Sequence, residues 1–292
     1  MKIILVGADS MLGRDCREVL SRKHIVLTPA KREMDITRWD IVTDAMADMS
    51  PDVVINCAEE DDLDLFENND PMLWKLNVEG ARNLAQSSSR FDFKMVHLSS
   101  YHVFDGTKKL PQPYFEDDTP RPISKYGRSK VESEVAVRQN TADYLIVRTG
   151  WLYGGTSMGI MTNYLLNVIK NPSAGLQICS DDVGSPTWTL RIAMQIERLL
   201  EADARGTYHI TAEGHCNKSE YGYFICKHLG LSLTSDSSRI RDDFRKDLRP
   251  RNCILDNRRL RGENLSVMKN WGVDLKSFLN LQGKNILEII SF

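Results

Sequence analysis

Short apolar runs alternate with stretches of helical spacing along the first half of the chain. Ile3-Ile4-Leu5-Val6 closes on Gly7 and reads as a buried strand; Met11–Leu20 follows, with Met11, Leu12, Val19 and Leu20 as its apolar stripe. The same alternation predicts strands at His24–Leu27, Asp52–Asn56, Met95–Ser99 and Tyr144–Arg148, and helices at Leu73–Leu84 and Ser124–Val137. Strands separated by helices of this length build βαβ units and a parallel sheet. Helices on both faces of the sheet would explain why its strands are continuously apolar. Beyond Gly150 the rhythm loosens. Gly154-Gly155, Asn171-Pro172 and Gly184-Ser185-Pro186 cut the pattern, with helices predicted at Ile160–Ile169, Trp188–Ala202, Lys218–Leu229 and Leu275–Ile290. The fold class is α/β: a doubly wound parallel sheet over residues 1–150, and a smaller, mixed lobe over residues 151–292 that returns some segments to the sheet.

Composition narrows the function classes. Of 292 residues, 41% are hydrophobic and 27% charged, enough to fill a core. Lys and Arg number 38 against 40 Asp and Glu, and this near balance argues against a nucleic-acid partner. No apolar run approaches the roughly 20 residues of a membrane span. Only four apolar residues lie between Lys2 and Gly7, too few for a signal peptide. The six cysteines form no C-x-x-C pair, which points to reduced thiols in a cytoplasmic protein, to buried small hydrophobes, and away from a metal.

The turn Gly7-Ala8-Asp9-Ser10-Met11-Leu12-Gly13 joins the first strand to the first helix. A pyrophosphate needs a tight turn there, close backbone approach, and the unpaired N–H groups of a helix N-terminus. Gly7 suits the turn and Gly13 a close helix–strand contact; Ser10 stands where a third glycine would help, with a hydroxyl able to donate to a phosphate. The alternative is a plain strand–helix turn. After the second strand come Lys31 and Arg32, two cations that favour a ribose 2′-phosphate. They point to NADPH, with NADH left open and surface solubility as the competing explanation. Asp35 and Ile36 are placed to border the adenine.

Tyr126-Gly127-Arg128-Ser129-Lys130 opens a helix, so Tyr126 and Lys130 share a face one turn apart. A free phenol titrates near ~10, and a neighbouring ammonium favours its phenolate, bringing the proton within reach of catalysis. Lys130 could also hold a nicotinamide ribose. Ser100 follows the fourth strand at the edge where open α/β sheets bind ligands, and its hydroxyl could bond a substrate oxygen.

With these residues in view, the chain resembles the extended short-chain dehydrogenase/reductase superfamily, and within it the dTDP-4-dehydrorhamnose reductase family. The resemblance runs in order through the Gly7–Gly13 turn, Met34-Asp35-Ile36-Thr37, Pro51 to Ala58, Leu76-Asn77-Val78, Leu98-Ser99-Ser100 and Val103-Phe104-Asp105-Gly106. It continues through Tyr126 to Lys130, Arg148 to Gly154, Gly184-Ser185-Pro186-Thr187 and Arg249-Pro250-Arg251-Asn252. It implies a Rossmann-type sheet and a catalytic triad of Ser100, Tyr126 and Lys130. NADPH would deliver hydride to C4 of a 4-keto-6-deoxy nucleotide sugar while Tyr126 protonates the oxygen. It adds Met11, Leu12, Cys57, Ala58 and Asn77 to the cofactor site. Ser100, His102, Val103, Trp151, Arg249 and Arg251 would form the sugar-nucleotide site. Core packing is the competing reading for Trp151, and a solvated turn for the arginines.

Two stretches depart from the family pattern. Glu59-Glu60-Asp61-Asp62 with Asp64 replaces small, aromatic and hydroxyl residues, and Tyr101-His102 replaces an acid and an aromatic. A regulatory subunit of methionine adenosyltransferase also resembles this family, so a dinucleotide-binding regulatory subunit without turnover is the second reading. A tight-NAD epimerase is disfavoured by the motifs of the second half. Family members often pair, which leaves a homodimer open.

Overall fold

The computed structural model describes residues 1–58, 71–155, 157–159, 162–170, 182–231 and 249–290. The acidic run Glu59 to Asp62 with Asp64, the Asn171-Pro172 break and Cys179 lie outside the described residues. The chain runs β1 (Lys2–Val6), α1 (Met11–Leu20), β2 (Ile25–Leu27), α2 (Trp39–Met49) and β3 (Val53–Asn56). Next come α3 (Pro71–Trp74), a π-helical turn (Lys75–Glu79), α4 (Gly80–Phe91), β4 (Lys94–Ser100), α5 (Lys125–Asn140) and β5 (Tyr144–Thr149). The second half carries β6 (Leu152–Tyr153), α6 (Thr162–Lys170), β7 (Val183–Gly184), β8 (Thr187–Trp188), α7 (Thr189–Glu201) and β9 (Gly206–His209). It closes with β10 (Cys216–Asn217), α8 (Lys218–Leu229), α9 (Arg258–Gly262) and α10 (Trp271–Ile290).

Six strands form one parallel sheet in the order β2-β1-β3-β4-β5-β9. From β1 the chain moves to β2 on one side and then to β3 on the other. That reversal opens a crevice beyond the strand ends, between Gly7 and Cys57. Both faces are covered. Ile3 and Leu5 pack with Leu12, Cys16, Ile192 and Ile196 of α1 and α7, whereas Ile4 and Val6 pack with Val42, Met46, Leu84 and Val137 of α2, α4 and α5. This two-sided burial is the physical reason for the unbroken apolar strands. Each buried Leu or Ile contributes about 1.5–3 kcal/mol. A separate cluster of Tyr153, Trp188, Tyr221, Ile225, Leu275 and Phe278 holds β6, β8, α8 and α10 together.

Several predicted elements take different bounds. The helix expected over 73–84 is broken by the π turn at Lys75–Glu79, which brings Asn77 against α5, with Nδ2 3.4 Å from Ser129 Oγ. The sequence pattern names no element over α2, where polar residues dilute the Val42-Ala45-Met46 stripe. Nor does it name β9, a short Gly-Thr-Tyr-His segment without an apolar run, which becomes the sixth strand beside β5. Caps account for sharp starts elsewhere: Ser124 accepts from Gly127 N at the head of α5, and Asn217 and Glu220 form a capping box on α8. Five cysteines, 16, 57, 216, 226 and 253, are free and buried. Among the described residues no helix is long and apolar enough to cross a membrane.

Candidate active site

The glycine turn is built by close contact. Gly7 has φ +74°, and a β-carbon there would stand 2.5 Å from Ala58 N. A β-carbon on Gly13 would stand 2.2 Å from Gly7 O. No side chain fits either place, so the helix begins directly over the strand end, with its N–H groups facing the crevice. Ser10 caps α1, its Oγ accepting from Gly13 N at 3.0 Å; the hydroxyl proton stays available to an anion. This cradle of backbone donors fits a dinucleotide pyrophosphate. Lys31 and Arg32 follow β2, the strand beside β1, and are exposed; Arg32 Nε lies 3.9 Å from Glu33 Oε1. Asp35 closes a local turn by accepting from Thr37 N and Oγ1, and Ile36 is buried against Gly80.

From this turn a cleft of about 460 Å³ runs along the C-terminal edge of the sheet. Ser10, Met11, Leu12 and Cys57 line one end of it, and Ser100, His102, Tyr126, Trp151 and Arg249 the other. Ala58 and Asn77 are not in its lining, and Val103 turns away into an apolar cluster with Phe104, Tyr114 and Leu255. Arg251 lines a neighbouring cavity that shares Arg249, with Lys108, Lys109 and Asn252.

Ser100 ends β4 and its Oγ accepts from His102 N at 3.3 Å. Tyr126 is 5% exposed, its ring edge-on to His102 at 5.1 Å. Lys130 is buried behind it, with Nζ 6.0 Å from the phenol ring centroid and donating to Leu98 O at 2.7 Å. Gly127 makes this approach feasible, since a β-carbon on it would stand 2.3 Å from His102 O. One turn past Lys130, Glu134 is wholly buried. Its carboxylate accepts from Ser99 Oγ at 2.6 Å, from Arg148 Nε and Nη2 at 2.8 Å each, and from Arg138 Nη2 at 2.5 Å. Burial alone would raise its pKa, but the Arg148 fork and the Arg138 charge override that and hold Glu134 at about 2. This network clamps the Tyr126–Lys130 face of α5 to β4 and β5.

Trp151 sits at φ +50°, a left-handed conformation that a bulky side chain rarely adopts. Its indole is 5% exposed and lines the cleft, and Gly184 makes room for it, a β-carbon there falling 2.7 Å from Trp151 Cε2. The residue is thus both packed and presented. His102 is 6% exposed; burial, with the charges of Arg249 and Lys130, lowers it to about 3 and keeps the imidazole neutral. Tyr101, Thr149, Gly150 and Leu152 also line the cleft, though the sequence reading names none of them as a site residue. Thr149 had a readable signal, because it follows the fifth apolar run at the ligand edge of the sheet.

The family model for the RmlD substrate binding domain matches residues 1–283. The spore coat polysaccharide biosynthesis protein SpsK of Bacillus subtilis is 31% identical over 280 residues, covering 95% of this chain and 96% of that protein. A dTDP-4-dehydrorhamnose reductase of Clostridium acetobutylicum superposes with a TM-score of 0.89 at 30% identity, over 97% of this chain and all of that one. The Bacillus anthracis dTDP-4-dehydrorhamnose reductase, solved in complex with NADP, gives a TM-score of 0.86 at 28% identity, over 95% of this chain and 97% of that one. With similarity along almost its whole length, the chain belongs to the RmlD substrate binding domain family.

Proposed function

We propose that this chain is an NADPH-dependent reductase of a dTDP-linked 4-keto-6-deoxy sugar. The observation that carries the reading is that Ser100 and Tyr126 line one cleft with the residues that open α1, with Lys130 behind the phenol. The dinucleotide, when bound, supplies the hydride. Gly7, Ser10, Met11, Leu12 and Gly13 hold its pyrophosphate at the helix N-terminus. Lys31 and Arg32 would meet the 2′-phosphate, Asp35 and Ile36 would border the adenine, and Cys57, with Ala58 and Asn77 near the same strand end, would complete the cofactor side. At the other end, Ser100 Oγ accepts from His102 N and keeps its own proton to donate to the sugar carbonyl. Tyr126 gives its phenolic proton to that oxygen as the C4–H bond forms. Lys130, fixed by Leu98 O, faces the negative charge left on the phenol and orients the ribose. Trp151 walls the sugar, with His102 on the same turn as Ser100, and Arg249 and Arg251 meet the diphosphate.

Similarity to a reductase that binds NADP supports the cofactor assignment, and Lys31 and Arg32 agree with it. Buried free thiols support a reducing, cytoplasmic setting; the dimers common among family members support a homodimer. The test mixes the purified chain with NADPH and a panel of dTDP-4-keto-6-deoxyhexoses. NADPH absorbance is expected to fall in proportion to ketone consumed. Tight dinucleotide binding with no turnover across the panel would return the chain to the regulatory-subunit reading.

A further inference from the structure

The cleft wall around Ser100 carries hydrogen-bonding capacity that the fold does not use. Thr149 ends β5 and is the register partner of Ser100 on β4. Its Oγ1 is buried and has no hydrogen-bond partner among the described residues. His102 stands two residues past Ser100, its ring 4.3 Å from that of Tyr101 and 5.1 Å from that of Tyr126, and its Nδ1 is likewise buried without a partner among the described residues. Both residues line the cleft. Held neutral, the imidazole is a hydrogen-bonding group and not a proton source. Buried polar atoms are almost always paired, because an unpaired one forfeits its hydration. Two such atoms in the cleft that holds Ser100 point to a ligand that completes them.

If Ser100 meets a C4 carbonyl, Thr149, its register partner, is placed to meet the C3 hydroxyl next to C4, and His102, two residues along the chain, the hydroxyl one carbon further round the ring. We propose that Thr149 and His102 are specificity residues that hydrogen-bond the C3 and C2 hydroxyls of the hexose, selecting hydroxylated over deoxygenated sugars. This rests on the reductase reading above. A site built to bond a hydroxyl rejects the analogue lacking it far more strongly than an apolar site does.

The test compares kcat/KM for dTDP-4-keto-6-deoxyglucose with that for its 3-deoxy and 2-deoxy counterparts in wild type, Thr149→Val and His102→Phe. Thr149→Val keeps the branched shape and His102→Phe keeps a ring, so each removes chiefly the polar atom. The wild type is expected to favour the hydroxylated sugar by about 100-fold, and each variant to cut that ratio about tenfold, with the Kd for NADPH unchanged. Should His102→Phe fail to fold, Thr149→Val decides alone. Turnover by wild type with ratios unmoved in the variants overturns this assignment and leaves the reductase reading standing. A wild type that reduces none of the sugars overturns both.

Discussion

The two ends of the cleft are built on different terms. At the nucleotide end the backbone makes the site: Gly7 and Gly13 are present because their neighbours leave no room for a β-carbon, and Ser10 caps the helix whose N–H groups face the crevice. At the sugar end, side chains from distant segments make it: Ser100 from β4, Tyr126 from α5, Trp151 after β5, Arg249 far beyond. A backbone cradle is local in sequence and tolerates little change. A side-chain wall depends on long-range packing, and each member can be altered separately. The difference teaches where this chain is rigidly specified and where it can diverge.

The largest effect is expected on the sugar side, at its clamp. Glu134→Ala leaves Arg148 buried and uncompensated and should lower unfolding stability by about 3–5 kcal/mol, read as a shift in the denaturant midpoint. Unchanged stability would mean that the clamp does not hold α5 to the sheet. Gly13→Ala strikes the other end. Its β-carbon displaces either the turn or the helix, and NADPH affinity should fall about 100-fold, roughly 3 kcal/mol, by fluorescence titration.

Acid should also loosen the sugar side. Burial first, then nearby positive charge, lowers His97, His102 and His209 to about 3, below the ordinary histidine value of 6.5. Between those limits the unfolded chain binds protons that the folded chain refuses. Stability is therefore full above pH 6.5 and falls toward pH 3, by at most about 1.4 kcal/mol per pH unit for each imidazole. Glu134 adds the same sign lower down, losing its contribution as pH drops from 4.5 toward 2. Urea midpoints measured from pH 8 to pH 4 check the slope; a flat profile would contradict neutral buried imidazoles. The smallest effect belongs to Arg32→Ala. Its side chain is 87% exposed, so the preference for NADPH over NADH should drop only severalfold, in paired binding titrations.

What was legible in the sequence follows the same division. Met11–Leu20 and Lys218–Leu229 have the bounds their spacing predicts, because an amphipathic stripe and a cap are local signals. The glycine turn and the Tyr126–Lys130 spacing are local too. β9 escaped because a four-residue strand at the edge of the sheet is selected by its partner β5 and not by its own apolarity. Thr149 and Gly127 escaped because their roles lie in what approaches them, the register partner Ser100 in one case and the His102 carbonyl in the other. Trp151 was legible as an aromatic, but its left-handed backbone and the room that Gly184 leaves for its indole were not, since neither is a local sequence signal.

The most direct test of a backbone end that binds and a side-chain end that reacts is to measure both in one protein, Tyr126→Phe. Removing a single hydroxyl should leave the Kd for NADPH within about twofold of wild type while single-turnover reduction of a dTDP-4-keto-6-deoxyhexose falls by about 10²–10⁴. Reduction at the wild-type rate, or loss of NADPH binding in step with turnover, would contradict the account.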